Sequence, residues 1–241
     1  MKPNYTGIKK TFSNSNIIST DDLLSFYKSI EPTVKKTTVN WRIYELVRSG
    51  QLQRIGRGKY ILGNAIKYFP AISAKEIKIG NLIRKEFPFI NYCIWNTSIL
   101  NEFSQHLSTF RFVIVEIEKE ALDSVYFSLK ESFNSTFKKP SREMVEEFIS
   151  GQANSIIIKP FVSEAPLEKY KNMPTTTLEK LLVDLYCDKN LFYFLQGNEL
   201  VNIYKNAFEK YTINQSKLLR YADRRQKKKQ IEDFINTIFR Q

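Results

Sequence analysis

The run Arg54-Ile55-Gly56-Arg57-Gly58-Lys59 sets three cations around two glycines. Glycine admits a tight turn, and cations carried on such a turn suit phosphate. Lys35 and Lys36 stand just before a helical stretch, and a helix N-terminus itself attracts phosphate. Between the two basic groups, at about 100° per residue, Val39, Ile43, Leu46 and Val47 share one face. Thr37, Trp41, Tyr44 and Arg48 share the opposite face, with Glu45 among them. Thr37 or Thr38 can cap this helix, and Gly50 can take the left-handed conformation that ends it. The outer face suits base edges in a major groove, while Arg54, Arg57 and Lys59 suit the flanking phosphates. Trp41 has two readings: contact with a sugar-phosphate or thymine methyl, or burial against the first helix or the second domain.

A second basic run contains Lys217, Arg220, Arg224, Arg225, Lys227 and Lys228. A solvated face, a second nucleic-acid contact and a patch for an acidic partner all fit it. Lys217, Arg220, Arg224, Lys227 and Lys228 fall largely in one band, spaced three or four apart, opposite Leu218, Leu219 and Ala222. Glu116-Ile117-Glu118-Lys119 closes the strongest strand signal and resembles the metal-binding corner of restriction-endonuclease-like nucleases. That chemistry needs a further acid on a neighbouring strand, and none stands nearby in sequence. There is no Gly-rich phosphate loop after a strand, no nucleophile elbow and no His–Asp pairing. Cys93, Cys187 and His106 lack metal-site spacing. The expectation is therefore a non-enzyme without metal or cofactor, with buried reduced thiols and His106 at a helix end or on the surface.

Elements able to position the first basic group follow in order. A first helix is expected within 3–14, a turn at Asn14-Ser15-Asn16 and a short strand at Ile17-Ile18. A second helix, capped by Ser19 or Thr20, ends at Glu31-Pro32. The outer-faced helix comes next, then strand, basic turn and strand. This is the plan of a winged helix-turn-helix, expected as a compact unit over residues 1–63. Residues 64–241 read as a mixed α/β domain ending in a helical bundle. Helices are expected at about 73–86, 96–106, 118–133, 141–149 and 198–211, another opens at Pro174 to Thr177 and carries Leu178, Leu181, Leu182 and Leu185, and two helices are separated by a basic junction at 224–229. Strands are expected at 91–95, 110–117 (Phe110 onward) and 154–162 (Asn154 onward), and a loop at 134–140.

Charge is concentrated, not spread. The 241 residues carry a net +12 with pI about 9.5. Residues 1–63 hold eleven Lys/Arg against four Asp/Glu, and 217–229 seven against one, while 64–216 balance at eighteen each. Two cationic patches on a neutral body point to nucleic acid, an anionic membrane or an acidic partner. The N-terminus has no apolar core of the signal-peptide kind, and no stretch approaches the roughly 20 apolar residues of a membrane span. A cytoplasmic protein with no membrane contact is expected.

The stretch TTVNWRIYELVRSGQLQRIGRGKYIL resembles the N-terminal winged helix of AbiEi-type antitoxins of type IV toxin–antitoxin and phage-defence systems. The likeness includes Leu46 to Gly50 at the helix end and Gly56-Arg57-Gly58-Lys59-Tyr60 in the wing. TLEKLLVDLYCDK and LLRYADRR, within 173–225, are similar to the same group. The resemblance implies a repressor that binds inverted repeats in double-stranded operator DNA. It also implies a C-terminal domain that counters a cognate nucleotidyltransferase-type toxin. The competing readings are a sequence-specific regulator with a sensing domain and no toxin, and a nuclease built on Glu116 and Glu118.

Overall fold

Ser19 accepts the Asp22 amide while the Asp22 carboxylate accepts the Ser19 amide, a reciprocal cap that starts the second helix. The computed structural model describes residues 3–15, 17–106, 111–152 and 155–239. Asn16, Phe110 and Asn154, named in the turn and strands above, lie outside these. The chain runs α1 (Tyr5–Thr11), β1 (Ile18–Ser19), α2 (Thr20–Ile30), α3 (Lys36–Arg48), β2 (Leu52–Gly56) and β3 (Lys59–Leu62). The three strands pair antiparallel in the order β1-β3-β2. Ile8, Leu23, Tyr27, Val39, Ile43 and Leu46 close a small core under them.

Two details differ from expectation. The residue before α3 is Lys35, and neither Thr37 nor Thr38 caps the helix, because both already lie inside it. Of the two turn glycines only Gly58 is left-handed (φ 69°), whereas Gly56 ends β2 and lies close to Asn236. Gly50, at φ 74°, does end the helix as the sequence suggests.

The larger part begins with α4 (Ala74–Glu86) and β4 (Tyr92–Asn96), then β5 (Phe112–Ile117), α5 (Leu122–Ser132), β6 (Thr136–Lys138), α6 (Arg142–Met144) and β7 (Ser155–Pro160). The sheet order is β4-β5-β7-β6, with β4 antiparallel to β5 and the other pairs parallel. A hairpin follows, β8 (Leu167–Tyr170) with β9 (Met173–Thr176), and then α7 (Leu178–Cys187), α8 (Asn198–Lys210), α9 (Gln215–Arg224) and α10 (Lys228–Ile238). Strand alternation divides the two faces of the sheet. Val113, Val115 and Ile117 meet α4 and α5, while Phe112 and Ile114 meet the core built by α7–α10. The chain is a mixed α/β protein with several sheets and a helical C-terminal region.

Several elements correct the sequence reading. Residues 173–176 form a strand, because β8 offers pairing partners, and the helix starts later, under a Thr177 cap. The expected loop at 134–140 contains β6, which is short and becomes a strand only through its parallel pairing with β7. The expected helix at 96–106 is a 3₁₀ segment, Thr97–Glu102, and 141–149 passes from α6 into a π-helical turn.

Ile55 and Ile61 of the basic hairpin belong to the large core, together with Leu218, Ile231 and Ile235. Gln53, fully enclosed, donates to the Phe208 carbonyl (2.7 Å) and accepts from the Ile213 amide (3.0 Å). The hairpin is thus anchored to residues more than 150 positions away in sequence.

Candidate functional site

The cationic turn and one flank of α3 meet across an open groove of about 570 Å³; of the outer face read from the sequence Tyr44 lines it, Trp41 and Arg48 do not, and Ile43 and Val47 of the opposite face do. Lys36, Asn40 and Tyr44 line one wall, and Arg54, Arg57 and Gly58 the other. Trp41 is 53% exposed and Tyr44 62%, so Trp41 is not buried against the first helix or the second domain. Thr37 is exposed, Thr38 is half-buried, and neither is among the groove-lining residues. Arg48 is exposed and ion-paired with Glu45 at 2.6 Å. Lys35 is exposed, whereas Lys59 is half-buried. The Arg54 Nε donates to the Gly56 carbonyl at 3.1 Å, which holds its guanidinium along the turn.

Arg42 is a residue the periodicity did not single out. It is 4% exposed, pairs with Glu31 at 2.9 Å and stacks over the Tyr27 ring. It therefore fastens α3 to α2 instead of facing a ligand. The helix face offered outward is correspondingly aromatic and amide-bearing, with Lys36 at its start.

The second basic run begins beside the first. Arg54 and Arg57 share a small cleft with Ser216, Leu219 and Glu232, so α9 and α10 flank the hairpin. Lys217, Arg220, Lys227 and Lys228 are exposed. Arg224 donates to the Ser163 hydroxyl (2.6 Å) and lies 3.5 Å from Glu164. Arg225, expected with the basic run as a partner-facing cation, is not free. It turns inward, bonding Asp184 (2.6 Å) and Asp188, and its side chain is 14% exposed. Its role is to tie the end of α9 to α7. The physical reason is helical phase: Arg225 stands three residues after Ala222 and seven after Leu218, on the buried face of α9, and the left-handed Gln226 then ends the helix, so Lys227 and Lys228 leave the band that needed it to continue.

A buried ionic network lies behind this point. Lys180, enclosed among apolar side chains of α7, bonds both Glu116 of β5 and Asp184 one turn along. Lys159 of β7 bonds Asp188 and stands 3.8 Å from Glu116. The Trp95 indole donates to Glu116 (3.1 Å), and the Tyr221 hydroxyl to Asp184 (2.9 Å). Three carboxylates and three cations therefore neutralise one another. Burial alone would raise the Asp184 carboxyl, but Lys180, Lys159 and Arg225 outweigh it and hold it at about 2. Burial would lower Lys180, yet Asp184 and Glu116 keep it well above the ordinary lysine value. Burial pushes the Cys93 thiol far up and the Cys187 thiol to about 11, so neither is poised as a nucleophile.

The fold brings Asp184 within reach of Glu116 through a lysine. Glu118 faces elsewhere, bonded to Asn91. Among the described residues no group of three or more His, Cys, Asp or Glu side chains is placed to hold a metal ion. Nor is any helix among them long and apolar enough to cross a membrane. His106 is exposed. The network was only faintly legible beforehand: Lys180 and Asp184 are an i, i+4 pair bracketing the apolar run Leu181-Leu182-Val183, which puts both charges on one face of an otherwise apolar helix.

No curated protein matches this chain. One family model does, over residues 38–241, a span that takes in α3 from Thr38 onward, the basic hairpin, the four-stranded sheet and all the C-terminal helices. The chain accordingly belongs to that family, described as a family of unknown function (DUF6577).

Proposed function

We propose that this protein is a non-enzymatic, double-stranded-DNA-binding repressor of the AbiEi-like antitoxin type, acting in the cytoplasm. In this reading residues 1–63 have winged-helix character, with α3 as recognition helix and the β2–β3 hairpin as wing. The observation that carries the DNA-binding half is the open groove in which Lys36, Asn40 and Tyr44 face Arg54 and Arg57. A helix with exposed aromatic and amide side chains beside a cationic turn suits a major groove and its flanking phosphates. The antitoxin half rests on the sequence resemblance at Leu46–Gly50, at Gly56–Tyr60 and within 173–225. It assigns the second domain the task of countering a nucleotidyltransferase-type toxin.

The test uses the full chain, because the hairpin shares its core with α9 and α10. Binding to duplex DNA from the promoter region of its own gene is followed by fluorescence anisotropy across a salt series. Contact with four to six phosphates predicts a log–log slope of about −4 to −5. Arg54→Ala with Arg57→Ala should weaken all duplexes alike, whereas Thr37 and Arg48 substitutions should change which duplex is preferred. A flat salt response refutes DNA binding. Co-expression with a nucleotidyltransferase-type toxin from a neighbouring frame tests the other half, which fails if growth is not rescued.

A further inference from the structure

A cavity of about 600 Å³ opens at the carboxyl ends of the parallel strands β6 and β7, on the side covered by the C-terminal helices. In open parallel sheets this is where ligands seat, because the strand ends and the loops beyond them form a crevice. The cavity shares no lining residue with the groove between α3 and the hairpin. Its volume is that of a small-molecule site.

The walls are cationic, drawing three lysines from the charge-balanced stretch and Lys227 from the second basic run. Lys139, Lys159, Lys189 and Lys227 line the cavity, and Asp188 is its one acid. Asp188 is already bonded by both Lys159 and Arg225, so its charge is committed to the network beneath. Glu116, Asp184 and Asp188 balance Lys159, Lys180 and Arg225, and the network has no charge to spare for the cavity. Lys139, Lys189 and Lys227 come from three separate segments, are exposed, and make no ion pair among the described residues. Their converging positive charge is therefore unneutralised by protein.

Lys139 also has a conformation that favours glycine, φ 43°. Its amide donates to the Ile158 carbonyl at 2.9 Å, extending the β6–β7 ladder by one bond. A long cationic side chain held in a left-handed turn at a strand end is the kind of local strain that accompanies ligand sites. Beside it, Tyr186 supplies an aromatic wall next to Lys189. Lysines around a phosphate-sized charge with an aromatic wall alongside suit a compact polyanion attached to a flat ring.

From this arrangement we infer that the cavity binds a small phosphorylated ligand of nucleotide size, whose phosphates are held by Lys139, Lys189 and Lys227. Lys159 forms the cavity floor and is held in place by Glu116 and Asp188.

The test is calorimetric titration of the full chain with inorganic pyrophosphate, adenosine 5′-diphosphate and adenosine. Both phosphate compounds should bind saturably, and adenosine should not. The double variant Lys139→Ala/Lys227→Ala should bind them at least about tenfold more weakly, as expected for losing two charge-assisted contacts. Its unliganded melting temperature should stay unchanged, since both side chains are exposed. Arg54→Ala/Arg57→Ala should bind the phosphate compounds as the parent does. The inference is overturned if neither phosphate compound binds saturably, or if the lysine double variant binds them unchanged. It is equally overturned if that variant loses duplex-DNA affinity instead, which would make the cavity part of a nucleic-acid surface.

Discussion

Replacing Lys180 with methionine tests the buried network most directly. Methionine keeps most of the stem and removes the charge. Lys180 is fully enclosed and bonds Glu116 and Asp184. After the change Asp184 keeps Arg225 at 2.6 Å and the Tyr221 hydroxyl at 2.9 Å. Among the described residues Glu116 then keeps the Trp95 indole at 3.1 Å and Lys159 at 3.8 Å, and its second oxygen already lacks a partner there. One buried carboxylate is thus left nearly uncompensated, and breaking a buried pair in this way costs about 3–5 kcal/mol. With an m value of about 2–3 kcal/mol per molar urea, the midpoint should fall by about 1–2 M. The deficit should grow as pH rises from about 4 to 7, because ionising an unpaired interior acid becomes the dominant cost. Adding Glu116→Gln should restore part of the loss, by removing the charge that Lys180 balanced. Urea unfolding followed by tryptophan fluorescence measures all three. A single-variant loss below about 1 kcal/mol, or one independent of pH, would refute the reasoning.

Gly50→Ala should cost about 1–3 kcal/mol, since alanine would sit at φ 74° with its Cβ 2.6 Å from the Thr212 hydroxyl; a thermal melt checks it. Trp41→Ala with Tyr44→Ala should leave stability within about 1 kcal/mol, since both side chains are more than half exposed, yet weaken duplex-DNA binding measured by anisotropy. Acid should unfold the protein partly through Asp184. Its folded pKa lies below the unfolded value, so its contribution of about 2 kcal/mol is present above pH ~4 and is lost as pH falls toward 2. Acid titrations of the parent and Asp184→Asn should therefore differ in slope only in that window. The full chain with Mg²⁺ or Mn²⁺ should leave supercoiled DNA intact; nicking that disappears in Glu116→Gln would restore the nuclease reading.

The sequence by itself determined the elements whose signals are local. Val39, Ile43 and Leu46 recur at helical spacing, Gly50 stops that helix, and β5 is written in β-branched and aromatic residues. The exposure of Tyr44 and the cationic turn at Arg54–Lys59 were legible for the same reason, because a helix face and a turn depend on neighbours in sequence. The tertiary structure alone decided what depends on distant partners. Strand β6 exists because β7 lies beside it, and β9 because β8 does. Arg42 and Arg225 carry charges that composition assigns to the surface. Glu31, Asp184 and Asp188 draw them inward, since a buried cation is tolerated only where carboxylates meet it. Glu116 looked like the edge of a metal site until Lys180, 64 positions later, proved to occupy the place of the cation. The same long-range packing sets the second basic run beside the first hairpin and gathers lysines from three segments around one cavity. Such convergence is a property of how α7–α10 close over the sheet, and no local pattern records it.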